Sequence, residues 1–172
     1  MTRDPVWERE PDSLDYTDDA TGYLVAMRRG PMKHWCAYVG IPAGHPWHGL
    51  GYDTPVKAFA GAMEREFAID DIGVIQLICG SLDAVPEENI YRLSVILRCH
   101  GGVTWAANKP ASGKPDGRWW FGFDCSHSGD YVPGLSRYHA DDGSEVYRDV
   151  DFVKAAASKL CADLKAGEAV AA

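Results

Sequence analysis

The sequence predicts an α+β fold: an antiparallel β-sheet of about five to six strands with two packed α-helices. Three observations predict it. Short apolar, β-branched runs alternate with glycine- and proline-bearing turns, as antiparallel strands do. Two longer segments repeat apolar residues at helical spacing. At 172 residues, 46% hydrophobic and 11% aromatic, the chain can bury a sizeable core and reads as a single domain, 1–172.

Residues 1–20 are acidic, carry Pro5 and Pro11, and read as an extended N-terminal arm pinned by Trp7 and Tyr16. Gly22–Arg28 and His34–Ile41 read as two strands of a hairpin, with Arg29-Gly30-Pro31-Met32-Lys33 as the turn. A stiff proline- and glycine-rich loop follows, from Ile41 to Gly49. A helix is expected from Thr54, which can cap it, with Pro55 at its first position and Val56, Phe59, Ala60, Met63 and Phe67 on one face. Gly73–Cys79 then reads as a short buried strand and Tyr91–Cys99 as another, with Val103–Ala106 as its hairpin partner or the start of a loop. The Lys-, Pro-, Gly- and Ser-rich stretch Asn108–Arg118 reads as an exposed loop tolerant of insertion. Trp119–Phe123 is an aromatic strand, and Ser126–Gly143 a long irregular segment. The C-terminal helix, 148–166, is capped by Asp149, carries Val150, Val153, Ala157, Leu160, Cys161 and Leu164 as a stripe, and is closed by Gly167.

A net charge of −8 opposes direct binding to DNA or RNA, whose phosphates need a basic footprint. It still permits a local basic pocket for a small anion, an acidic face for a basic protein partner, or simply solubility. Five cysteines without a C-x-x-C pair, mostly inside apolar runs, read as buried free thiols of a reducing compartment. The charged first residues lack the apolar segment of a signal peptide, and no apolar stretch approaches the ~20 residues of a membrane span. The expected location is cytoplasmic, with no membrane partner.

Chemistry-bearing residues gather in two knots. In Trp119-Trp120-Phe121-Gly122-Phe123-Asp124-Cys125-Ser126-His127-Ser128-Gly129-Asp130, an aromatic strand runs into a loop presenting Asp124, His127 and Asp130 at every third position. Such oxygen and nitrogen donors can hold a divalent metal, move a proton or grip a polar ligand, provided the chain turns after Cys125. They can equally cap loop amides. In His100-Gly101-Gly102-Val103-Thr104, the glycines allow close backbone approach and offer amides to an anion, His100 offers a donor or base, and Thr104 a hydroxyl. A plain tight turn is the competing reading. His45 and His48 sit on the stiff loop without a flanking acid or cysteine motif, so a loop whose Trp47 packs is favoured over a metal chelate. Trp119 and Trp120 point to opposite faces of their strand; one could stack a base beside Arg118 or Arg28, or both could serve the core or a homodimer interface.

These blocks, together with Tyr38-Val39-Gly40-Ile41-Pro42-Ala43-Gly44-His45-Pro46, Pro133-Gly134 and Tyr147-Arg148-Asp149, resemble a set of small uncharacterised proteins encoded by tailed bacteriophages and prophages. The likeness covers residues 34–53 and 95–165, and residues 54–90 look like an insertion relative to shorter relatives. It implies a phage accessory protein acting against host defence in the cytoplasm of an infected bacterium. The leading expectation is a noncatalytic protein that sequesters a small polar or nucleotide-like ligand, such as a cyclic nucleotide messenger. Its site would comprise His45, His100, Gly101, Gly102 and Thr104, with Trp119, Trp120, Asp124, His127 and Asp130. The first alternative is a phosphodiester hydrolase, metal-dependent or acid–base, working through His100, Asp124, His127 and Asp130, with Asp124, His127 and Asp130 as the ligands of any metal. The second is an acidic inhibitor of a host effector.

Overall fold

A computed structural model of the chain describes residues 5–66, 71, 78, 83–138 and 143–171. Its centre is the hairpin of β2 (Leu24–Arg29) and β3 (Trp35–Ile41), paired antiparallel with Arg29 opposite Trp35. Lys33 closes the turn at φ 63°, its amide donating to Gly30 O at 2.9 Å. β1 (Ser13–Thr17) adds to β2, β7 (Trp119–Asp124) adds to β3, and β6 (Trp105–Ala107) adds to β7. The result is one antiparallel sheet in the order β1-β2-β3-β7-β6.

Strand alternation gives the sheet two buried faces. Val25, Met27, Trp35, Ala37, Val39, Phe121 and Phe123 pack against a helix, here α3 (Val150–Gly167), through Val153, Ala157, Leu160, Cys161 and Leu164. Asp149 caps this helix as expected, accepting the Phe152 amide at 3.0 Å. On the other face, Ala26, Tyr38 and Trp120 form a second small core. The tyrosine ring can lie flat there because Gly122 has no side chain; a Cβ would stand 2.4 Å from Tyr38 Cδ1. Loop 108–118 borders this face through Trp105 Nε1 on Lys109 O and Trp120 Nε1 on Asp116 Oδ1, and buries Pro110.

The fold class stands as expected, with three departures in its parts. The helix anticipated at Thr54 is instead β4 (Pro55–Lys57), paired with β5 (Ile90–Arg92), followed by turns in which Gly61 takes φ 75°. Of the face expected there, Phe59 is buried in the main core and Val56 packs partly against it, whereas Ala60 and Met63 are exposed, so the apolar spacing reported neither a helix nor a continuous buried stripe. Arg65 then reaches from these turns to Asp163 on α3, a carboxylate that Arg98 also holds with its amide, Nε and Nη2. The strand expected over 91–99 ends early and becomes one helical turn, α2 (Leu93–Ile96), while β6 pairs with β7. Phe67 and the strand expected over 73–79 lie outside the described residues.

The third departure is the N-terminal arm. It contains a helical turn, α1 (Val6–Arg9), and the sheet's edge strand β1. Trp7 pins it, with ring centroids 5.1 Å from Tyr131 and 5.4 Å from Tyr147. Glu10 anchors it more deeply. Its carboxylate accepts Trp35 Nε1 at 2.9 Å, Tyr147 Oη at 2.6 Å and the Val150 amide at the start of α3 at 2.8 Å. Among the described cysteines, Cys36, Cys99, Cys125 and Cys161 are free thiols, and burial pushes Cys161 up to about 12. No helix among the described residues is long and apolar enough to cross a membrane.

Candidate functional site

The two polar knots meet. His100 Nε2 lies 2.7 Å from Asp130 Oδ2, and the His100 and His127 ring centroids are 5.2 Å apart, edge to face. Local geometry explains how each residue arrives. Asp124 ends β7 and accepts both the amide and the hydroxyl of Ser126, at 3.0 and 2.7 Å, which turns the chain out of the strand. One turn later the Asp130 amide bonds His127 O, and Asp130 Oδ2 accepts the His127 amide in return, each at 3.0 Å. Residues 99–102 form a tight turn with Gly102 N on Cys99 O and both glycines at positive φ. Gly101 is required twice over: its φ is +68°, and a Cβ there would stand 2.1–2.5 Å from the His127 ring. The histidine of one motif therefore lies flat on the glycine of the other.

Asp130 is the hub. Its side chain is 1% exposed, and its second oxygen accepts Arg148 Nε at 2.8 Å. Burial alone would raise its pKa. Hydrogen bonds from His100, Arg148 and the His127 amide, together with the facing His127 ring, outweigh burial and hold the carboxyl well below the usual carboxylate range. In turn, the facing Asp130 carboxylate raises the His127 pKa above its ordinary value, against the effect of burial, and Asp124 adds to the rise. His127 Nδ1 stands 3.4 Å from Asp130 Oδ2, too far for a well-formed hydrogen bond, and is buried without another partner among the described residues. His100 Nδ1 is likewise buried and unpaired. The ligand atoms of His100, His127 and Asp130 all lie within 4.8 Å of one another, a group that could hold a metal ion.

Arg148 and Phe152 complete the cluster. The Arg148 guanidinium sits 4.6 Å above the Phe152 ring, whose edge-to-face partner at 5.1 Å is His100. Arg148 was legible in the sequence only as the neighbour of a helix cap. His34 also borders the site. Its Nδ1 is buried and unpaired, and burial lowers its pKa while Asp124 and Asp130 pull the other way.

Other expected residues fall outside this cluster. His45 is 4% exposed and fully paired: its Nδ1 accepts the Trp47 amide at 3.0 Å, so Nε2 donates to Leu164 O at 2.8 Å. Leu164 lies about 18 Å along α3 from Phe152, at 1.5 Å per residue, so His45 belongs to the opposite end of the helix. Trp119 turns to the main core and donates to Leu50 O at 2.8 Å. Trp120 is buried in the second core, which removes both tryptophans as stacking surfaces at Asp130. They do face opposite sides of β7, as alternation requires. Thr104 and Asp124 stand at the rim, 3.5 Å apart, with Asp124 serving as a loop cap and a nearby negative charge. Gly102 spends its amide on the turn, so that group is not a free anion donor.

Compared with known proteins, the chain matches no family model, no curated protein and no solved structure.

Proposed function

We propose that this chain binds a small anionic ligand of the nucleotide type and holds its phosphate between Arg148 and His127. One observation carries the reading: Asp130 orients two cationic groups and leaves each with unspent capacity. Arg148 is fixed by Nε alone and makes no other hydrogen bond among the described residues, so its two terminal nitrogens can fork onto a phosphate. His127, favoured in its charged form, keeps a side chain 31% exposed beside it, and Arg148 is 22% exposed. The stacked Phe152 ring restrains the guanidinium at little entropic cost. The net charge of −8 then discriminates against polyanions, while the Arg148–His127 pair accepts a small one. In the setting that the phage resemblance implies, the ligand is a nucleotide messenger and the protein removes it from circulation.

A second reading draws on the His100–His127–Asp130 group: a phosphodiester hydrolase in which this trio activates water, by acid–base chemistry or through a metal. Incubation with cyclic dinucleotides, heat denaturation and chromatography separates the two. Intact ligand released by heat means capture, and linear product means cleavage. In the capture reading, Arg148→Ala and His127→Ala each weaken retention by at least about tenfold. Retention unaffected by the double substitution would remove this site from consideration.

A further inference from the structure

We infer that His100, His127 and Asp130 form a site for a single zinc-class divalent ion, with one coordination position left for solvent or an anion. This deepens the second reading above, but it concerns the ion alone and needs no nucleotide. The spacing is the first support. With bonds of about 2.0–2.1 Å, neighbouring ligands on a tetrahedral ion stand about 3.3 Å apart, and on an octahedral ion about 2.9 Å apart. His127 Nδ1 and Asp130 Oδ2 are 3.4 Å apart, too far to share a proton well and at the separation of a tetrahedral edge. His100 Nε2, now 2.7 Å from the same oxygen, needs to retreat by about half an ångström to reach that edge.

The unpaired nitrogens are the second support. His127 Nδ1 is buried without a hydrogen-bond partner, so an ion there would satisfy an atom that the described protein leaves unsatisfied. For His100, metal at Nε2 requires the proton now donated to Asp130 to leave that nitrogen. The imidazole has a second nitrogen to receive it, the buried and unpaired Nδ1. The proton thus moves within the His100 imidazole, and a proton on His127 Nδ1 passes to solvent as the ion binds.

The supporting shell is already assembled. Arg148 Nε occupies Asp130 Oδ1 and so commits the carboxylate to one-oxygen ligation through Oδ2. Gly101 fixes the plane of the His127 ring, and Asp124 supplies the negative potential a cation needs. Exposure sets the direction of the open position. His100 and Asp130 side chains are 6% and 1% exposed, against 31% for His127, so solvent or a phosphate oxygen enters on the His127 side.

Tag-free full-length chain, stripped with chelator and titrated with cobalt(II), tests the inference. One equivalent should bind with the intense visible bands of four-coordinate cobalt, and zinc should bleach them. His127→Ala should weaken cobalt binding by at least about 100-fold, whereas His48→Ala, on the distant loop, should leave it unchanged. Histidine resonances of the wild-type chain give the same answer without substitution: zinc must move those of His100 and His127 and leave His45 in place. A lack of saturation, a six-coordinate spectrum, or bands that persist in His127→Ala would overturn the site. Because the readout is the metal alone, such a result leaves phosphate capture by Arg148 standing, and loss of nucleotide binding leaves the metal site standing.

Discussion

His45 and His127 sit on similar proline- or glycine-bearing loops, yet they have opposite standing. Each ring nitrogen of His45 has a partner in the protein's own backbone. Burial lowers its pKa and keeps it neutral. His127 has one nitrogen buried and unpaired, a carboxylate facing it, and a pKa raised above the ordinary value. The first histidine is finished by folding, while the second is oriented by folding and left with capacity to spend. Hydrogen-bond completion therefore separates a structural histidine from a candidate functional one better than motif spacing does.

The sharpest way to break that contrast is at Asp130. Asp130→Ala removes the partner of the half-buried Arg148 guanidinium and of the buried His100 imidazole, and should cost about 3 kcal/mol in urea unfolding. A loss under about 1 kcal/mol would mean that the hub is not a hub. Next comes His45→Ala, which opens a cavity and unpairs the Trp47 amide and the Leu164 carbonyl. A loss of about 2–4 kcal/mol is expected, with ligand and metal binding retained. By the same logic, His127→Ala should cost less than about 1 kcal/mol while removing binding. A reversed order of these two values would invert the distinction between them.

Gly101→Ala is subtler. It forces an L residue to positive φ and pushes the His127 ring aside, for about 1–2 kcal/mol, and should let the His127 pKa relax downward in an NMR titration. The smallest effect is in pH dependence, and its sign differs between the two histidines. His127, raised in the folded chain, contributes stability that is fully present below its unfolded value of about 6.5 and fades as pH rises through the folded value. His45, lowered in the folded chain, contributes above about 6.5 and loses that contribution as pH falls through its folded value. Urea midpoints of wild type and of each alanine variant across about pH 5 to 8 should therefore differ in opposite directions at the two ends.

What could be read in the residues alone was what local chemistry dictates. The β2–β3 hairpin followed from its turn, β7 from its aromatic run, and α3 from Asp149 and the Val153–Leu164 stripe. Thr54–Met63 misled because the same apolar spacing serves a strand and turns once Ile90–Arg92 supplies a pairing partner. At the site, His100, His127 and Asp130 were legible because rare residue types cluster on glycine-bearing loops. Arg148 was not, since a lone arginine beside a helix cap carries no signal until the fold brings Asp130 to it. His45, Trp119 and Trp120 were overcalled for the converse reason: their partners are backbone groups and core side chains that composition does not reveal.

Glu10 gives the head of the chain leverage over chemistry it never touches. The same carboxylate that holds Tyr147 also plugs the first turn of α3 at Val150, so the two residues between them, Arg148 and Asp149, are clamped from both sides. Clipping the polypeptide after that glutamate would leave the sheet with its strands but release the clamp. Arg148 would keep Asp130 and Phe152 but lose the backbone clamp that aims it, so a cut in the N-terminal arm would loosen the cluster at a distance.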